Sequence, residues 1–445
     1  MMQFLLQKTY LGKLEHFLDN PLHMNFLKTN KNNFISNGTN VQLQGVGLGN
    51  WLVLEHFMFG IAGTDSQIRQ VIKETYGEEN YNRFWDKYYT VYVQEADIKY
   101  VHERGMNHIR IPVNYKLFFT DEFKKSVAIR EINRVLEYCK KYNIWAIIDM
   151  HAVPSGQNPD WHCDNATGHD MFWQDNTAKN DVVRLWGKIA NYYKNEPTIG
   201  GYDLINEPCY FAKETDDLMI QFFKDCTKAI RSVDKKHIIF YSGNVYSRDF
   251  SMFTENLDDN CSYTFHLYPF LQIANELDST DIENRLQKCL QKDVTLQHLT
   301  ETLQKPLWCG ETGHPHHFQE SFHVLNKYLT ILDEKQIGWA LWPLKDCGSM
   351  AMTYPSKNGE WNMLCNELSE GWLFWNIFTK DSMISAQQES DKYKYYEWLA
   401  NESTCAWEIV RNNLLKVPFE RLLNAVDDFK FENCSRETEF FLEKQ

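Results

Sequence analysis

The chain has 445 residues, 43% of them hydrophobic and 24% charged, and a formal net charge of −14. So much apolar material supports a large core and excludes a disordered chain. The acidic balance, with no basic block, excludes nucleic acid and other polyanions as partners. No run approaches the roughly 20 apolar residues that span a bilayer, and Met1–Leu6 is too short for a secretory leader. Eleven cysteines form no CxxC pair, which argues against a zinc ribbon and for a soluble, reducing, intracellular setting. Aromatic residues make up 15% of the chain, with 14 Trp, 23 Tyr and 28 Phe. They read either as a large aromatic core or, in part, as a groove that stacks flat ligands.

Residues 1–40 carry little pattern and read as an N-terminal extension packed on the rest of the chain. From Val41 to Leu344 one unit recurs: amphipathic helix, polar turn, short apolar strand, polar loop. The strands expected in chain order are Leu43–Leu48, His108–Val113, Ile144–Met150, Gly201–Ile205, His237–Ser242, Ser262–Leu267, Leu307–Gly310 and Gly338–Trp342. Before the second, Gly105 is placed to close a helix. Four helical faces stand out by their i, i+3, i+4, i+7 spacing. They are Ile132, Val135, Leu136 and Cys139; Val182, Leu185, Trp186 and Ile189; Leu218, Phe222, Cys226 and Ile230; and Phe322, Leu325, Leu329 and Leu332. Strands apolar nearly throughout belong to a sheet buried on both faces. Eight of them alternating with helices predict a closed (β/α)8 TIM barrel with elaborated βα loops. Beyond Trp342 come an aromatic-rich stretch (Trp361, Trp372, Phe374, Trp375) and an amphipathic helix around Ala406–Leu423. With no linker or repeat to divide them, residues 41–445 read as a single domain.

In such a barrel the reactive groups sit at the C-terminal ends of the strands, where the βα loops converge. The polar and aromatic groups ending the expected strands are Arg110, His151, Asn206 with Glu207, His266 with Tyr268, Glu311, and Trp342. Two are carboxylates flanked by turn formers, in Asn206-Glu207-Pro208 and Gly310-Glu311-Thr312-Gly313. Glycosidic cleavage needs two carboxyls flanking the bond, one to protonate the leaving oxygen and one to attack or to activate water. Taken singly, Arg110 fits a barrel-interior ion pair as well as a site role, and His151 and His266 fit satisfied core histidines.

Taken together, the residues resemble glycoside hydrolase family 5, within the clan of retaining (β/α)8 β-glycosidases. Asn206-Glu207-Pro208 matches its acid/base motif and Gly310-Glu311-Thr312-Gly313 its nucleophile motif. Arg110 in Ile109-Arg110-Ile111-Pro112, His151 in Asp149-Met150-His151, His266-Leu267-Tyr268, and Trp339 to Lys345 match in the family's order. The resemblance implies that Arg110 and Tyr268 bond and aim Glu311. It also implies that Asn206 binds the sugar 2-hydroxyl, that His151 and His266 line the −1 subsite, and that Trp342 forms its stacking floor. General chemistry adds that the acid needs a raised pKa, from burial and nearby negative charge. The segment from Gly45 to Glu55 looks like the first-strand signature of the exo-β-1,3-glucanase branch, although that branch usually carries Asn at Gly47 and Gly at Asn50. The loop after His151, which runs on to Asp160-Trp161-His162-Cys163-Asp164, departs as well. The expected function is therefore cleavage of β-glucosidic bonds in a β-glucan, glucan oligosaccharide or β-glucoside, by a monomer without cofactor or metal.

Two other readings compete. His314-Pro315-His316-His317 and His162-Cys163-Asp164 look superficially like metal ligands, as in a metal-dependent barrel hydrolase. The first strand, ending Gly47-Leu48-Gly49, offers no ligand. A carbohydrate-binding protein without catalysis would be signalled by loss of Glu207 or Glu311, and both are present.

Overall fold

The computed structural model describes residues 24–210, 215–270, 282–293, 298–316, 322–370 and 392–437. Eight parallel strands close into a barrel: β1 (Gln44–Gly47), β2 (His108–Asn114), β3 (Trp145–Ala152), β4 (Ile199–Asp203), β5 (Ile238–Ser242), β6 (Cys261–His266), β7 (Leu307–Thr312) and β8 (Gly338–Leu341). Closure comes from β8 on β1, where Trp339, Ala340 and Leu341 pair with Gln44, Gly45 and Val46. Each of the eight strands expected from the sequence is present, shifted by a residue or two at its ends.

Side chains alternate across these strands. Ile147, Ile238, Phe240, Trp308 and Ala340 point inward and fill the lower barrel together with Leu43, Leu27 and Phe34. Their neighbours Ile148, Ile239, Tyr241, Cys309 and Leu341 join the outer core beneath the helices. Residues 28–41 form a three-stranded antiparallel meander, Lys28–Asn30, Asn33–Ser36 and Thr39–Val41. Phe34 from its middle strand lies 6.1 Å from the Phe240 ring.

The helices begin where the sequence supplies caps. Thr64 and Gln67 exchange side-chain and backbone bonds in a capping box before α1 (Asp65–Tyr92), a pairing that satisfies two otherwise orphaned N–H groups. Ser126 caps α2 (Val127–Tyr142) and Asp175 caps α3 (Asn176–Tyr193). The expected apolar faces of these two helices are buried. In α4 (Thr215–Arg231) the inner position falls to Met219, and Leu218 is 38% exposed. Counting back from Phe222, three residues rather than four keep the side chain on the inner face. Residues 243–260, between β5 and β6, hold only the short turn Asn244–Ser247 in place of a full crossover helix.

The C-terminal helix expected over Ala406–Leu423 is two helices, α5 (Lys392–Leu414) and α6 (Phe419–Ala425). Pro418 explains the break. It lacks an N–H and takes an extended conformation (φ −61°, ψ 138°) as the N-cap of α6, which the interior of a continuous helix excludes. Trp361 of the aromatic-rich stretch is buried in a helix, Glu360–Ser369. Trp372, Phe374, Trp375 and His317 lie outside the described residues.

Candidate active site

The upper layer of the barrel is charged. Arg110 sits two residues above His108 on β2, and Asp149 and His151 stand two and four residues above Ile147 on β3, so alternation aims all of them inward. The Arg110 guanidinium is fully buried and donates to Asp203 Oδ2 (Nε, 3.0 Å), to Asn206 Oδ1 (Nη2, 2.9 Å) and to Glu311 Oε1. Its Nη2 also lies 3.1 Å from Asp149 Oδ2. Burial disfavours its charge, but Asp149, Asp203 and Glu311 more than compensate. Burial pushes the carboxyls of Asp149 and Asp203 up to about 7 against the pull of Arg110. Arg110 is thus both a barrel-interior ion pair and a partner of Glu311.

Glu311 reaches the interior through a bulge. The pairing of β7 slips between Cys309 and Glu311, so the inward direction passes from Trp308 to Glu311 despite their odd spacing. Gly310 permits this, since a Cβ there would lie 2.4 Å from Thr264 Oγ1. Tyr268 donates its hydroxyl to Glu311 Oε2 at 2.8 Å. Burial first, then the charge of Glu311, holds the Tyr268 phenol well above its usual range.

Glu207 lies four residues past the end of β4 in a left-handed backbone conformation (φ 44°), uncommon for a residue with a side chain and often tied to function. Asn158 donates to its backbone oxygen at 2.8 Å, and Gln157 bonds the carbonyls of His151 and Asn206 at 2.7 and 2.9 Å. The loop after β3 therefore holds the Asn206-Glu207 turn in place. Each Glu207 oxygen faces an imidazole: Oε1 lies 2.8 Å from His266 Nδ1 and Oε2 lies 3.1 Å from His162 Nε2. Burial raises this carboxyl, but the two histidines outweigh it and hold it well below the usual carboxylate range. Burial also lowers both imidazoles, and the surrounding carboxylates reverse this and raise them. The cluster thus holds the Glu207 carboxyl low and both imidazoles high, the opposite of the raised carboxyl expected for an acid. One oxygen each of Glu207 and Glu311 and one ring nitrogen of His266 lie within 4.8 Å of one another.

His151 is lowered by burial, its Nδ1 2.7 Å from Asp149 and its Nε2 3.4 Å from Glu55. The His151 ring stacks on Trp342, centroids 5.3 Å apart and 8° from parallel. The first-strand glycines Gly47 and Gly49 lie directly against Trp342. A Cβ at Gly47 would lie 2.5 Å from the indole, and one at Gly49 2.8 Å from it. Asn50 takes φ 61°, a left-handed position that Gly favours and Asn tolerates.

All eight residues picked out from the sequence thus converge on one barrel mouth. Glu55, Asp149, Asp203, Gln157, Asn158 and His162 join them unpredicted. Asp149 and Asp203 were detectable as charges inside apolar strands, whereas Gln157, Asn158 and His162 come from a loop whose path has no periodic signal. The run His162-Cys163-Asp164 diverges rather than chelating. The Cys163 thiol donates to Asn158 O, and Asp164 accepts from Ser66, Asn114 and Lys116. His316 turns its Nε2 to Ala351 O.

A closed parallel barrel with two carboxylates meeting at its C-terminal mouth is the arrangement of a barrel glycoside hydrolase. The family described as cellulase (glycosyl hydrolase family 5) matches residues 68–348, more than half of the chain, and the chain belongs to that family. It is 29% identical over 357 residues to a beta-xylosidase of Phanerodontia chrysosporium, covering 75% of this chain and 74% of the relative. It is 27% identical over 214 residues to a glucan 1,3-beta-glucosidase of Pichia angusta, covering 45% of this chain and 48% of that one. Among solved structures, the fold resembles beta-glucanase SdGluc5_26A from Saccharophagus degradans (TM-score 0.51, 18% identity, 73% of this chain and 86% of that one). It also resembles an endogalactoceramidase (TM-score 0.54, 16% identity, 73% and 76%). No helix among the described residues is long and apolar enough to cross a membrane.

Proposed function

We propose that the chain is a retaining β-glycosidase that cleaves β-glucosidic bonds, in a β-glucan, glucan oligosaccharide or β-glucoside, by double displacement. The observation that carries this reading is the approach of the Glu207 and Glu311 oxygens to within 4.8 Å. That suits direct attack, for which carboxyls stand about 5–5.5 Å apart, better than inversion, which leaves about 6.5–9.5 Å for a water. Glu311 is the nucleophile: Arg110 and Tyr268 each hold one of its oxygens, aiming it and stabilising its charge. Glu207 is the acid/base. Asn206, fixed by Arg110, takes the 2-hydroxyl, His151 and His266 line the −1 subsite, and Trp342 is its floor. Residues 41–445 act as one catalytic domain with residues 24–40 packed on it, as a monomer. Eleven cysteines, eight of them buried, form no disulfide, which favours an intracellular setting.

The test is trapping with 2-deoxy-2-fluoro β-glycosides of several sugars, followed by peptide mass mapping. A stoichiometric label on Glu311 is expected, and the glucosyl reagent should react fastest. A label on any other residue overturns the assignment.

A further inference from the structure

His162 is not a strand-end residue. It lies in the short helical turn Trp161–Cys163 of the loop after β3, yet it takes one of the two Glu207 oxygens. Its loop is built to hold it. Asp160 Oδ1 accepts from Trp161 N at 2.7 Å, Asn158 Oδ1 from Asp160 N at 3.0 Å, and Asn158 O from Asn165 Nδ2 at 2.9 Å. Rings enclose the imidazole, with Trp161, Tyr246 and His151 centred 6.1, 6.2 and 6.3 Å away.

The two faces of the His162 ring meet different chemistry. Nδ1 lies 3.7 Å from Asp160 Oδ2. Nε2 meets Glu207 Oε2 at 3.1 Å and the Asn158 amide nitrogen at 3.1 Å. The Asn158 amide cannot be turned the other way, because its oxygen is already held by Asp160 N and its nitrogen also donates to Glu207 O. Nε2 thus faces one group that wants a donor and one that offers a donor. It has a partner both with its proton and without it.

We propose that His162 is the positioning residue of the acid/base, storing on Nε2 the proton that Glu207 delivers to the glycosidic oxygen. This rests on the assignment of Glu207 as acid/base. In the first half-reaction the proton leaves Nε2 for Glu207 Oε2 and passes to the leaving oxygen as the C1–O bond breaks and the Glu311–C1 bond forms. Neutral His162 then accepts from the Asn158 amide, and Asp160 keeps Nδ1 protonated. In the second half-reaction water attacks C1 and the Glu311 ester breaks. Glu207 takes the water's proton, which returns to Nε2. His162, Glu207 and His266, which holds the other Glu207 oxygen at 2.8 Å and lies 3.6 Å from Glu311, titrate together, and loss of the proton on His162 Nε2 sets the basic limb of the rate profile. The other titratable groups around His162 among the described residues are Glu55, His151, Cys163 and Tyr246.

The experiment compares pH profiles of kcat/KM for phenyl β-glucoside, whose leaving group needs the proton, and 2,4-dinitrophenyl β-glucoside, whose leaving group does not. In His162→Gln the basic limb for the phenyl substrate should move down by about one pH unit or more, and the limb for the dinitrophenyl substrate should stay. Imidazole added to His162→Ala should restore the phenyl limb. Asp160→Asn, which removes the charge behind Nδ1, should shift it in the same direction. A rate that falls with the phenyl limb unmoved is what a purely structural role gives, and it overturns the proposal. Labelling of Glu311 by 2,4-dinitrophenyl 2-deoxy-2-fluoro-β-glucoside is measured in parallel. A label off Glu311 in the wild type defeats the underlying mechanism instead, whereas a correct label with an unmoved limb defeats only the role of His162.

Discussion

Replacing Arg110 with methionine removes the guanidinium that Asp149, Asp203 and Glu311 share, in a place fully closed to water. Breaking a buried ion pair by deleting one partner costs about 3–5 kcal/mol, because the other charge is left uncompensated. That is a large part of the roughly 5–15 kcal/mol that holds a domain folded, and it should lower the urea midpoint by roughly 1 M. Asp149 and Asp203, already pushed up to about 7, can escape part of the cost by staying protonated. The variant then holds more protons when folded than the wild type does, so its deficit should be smaller at pH 5 than at pH 8. Activity should fall further than stability. Glu311 loses a charge-assisted bond and Asn206 loses its anchor, and one such donor is worth roughly 10²–10³ in rate. Arg110→Lys keeps the charge but not the fork that reaches four partners, so it should fold nearly normally and still lose most activity. The assays are urea unfolding at both pH values and kcat/KM on an aryl β-glucoside. An Arg110→Met chain with an unchanged urea midpoint and more than a tenth of wild-type kcat/KM would refute this reasoning.

Other outcomes follow from the same geometry. Glu207→Ala should lower kcat/KM on cello-oligosaccharides by about 10²–10⁴ while largely sparing glycosylation by 2,4-dinitrophenyl β-glucoside, which needs no acid; an equal loss on both counts against the acid role. Gly47→Ala would bring a Cβ to 2.5 Å from the Trp342 indole. It should cost about 1–3 kcal/mol, alter tryptophan fluorescence and reduce turnover; an unchanged spectrum and unfolding curve speak against Trp342 as a fixed floor. His108, lowered by burial to about 3, stays neutral when folded and takes up a proton when unfolded below about pH 6.5. Its neutral burial thus contributes stability that is lost as pH falls, about 2 kcal/mol between pH 7 and pH 5. His108→Phe should flatten the pH dependence of unfolding by that amount, and an unaltered slope would contradict it.

The barrel was legible because each of its parts writes a local pattern. Eight apolar strands, their intervening helical faces and the polar residues ending the strands can be read within windows of a few residues. Sequence alone therefore determined the fold class, the family, and the candidates Glu207, Glu311, Arg110, His151, Asn206, His266, Tyr268 and Trp342. It also marked Gly47 and Asn50 as departures without giving their reason.

What only the tertiary structure decided depends on distances between segments far apart in the chain. Glu311 faces inward because β7 slips at Gly310, a register shift with respect to β6 and β8 that no pattern within β7 reveals. Gly47 is required by the ring of a residue 295 positions later, Trp342. Leu218 and Pro418 show that a face or a helix end is settled by packing and by a single missing N–H, finer than periodicity resolves. Burial alone suggests a high carboxyl pKa for Glu207; the sign was set by two imidazoles from distant parts of the chain, one at the end of β6 and one in the loop after β3. One of them, His162, lies in an irregular turn. Its chemistry comes from what the fold places beside it, and that could be read only after the chain had folded.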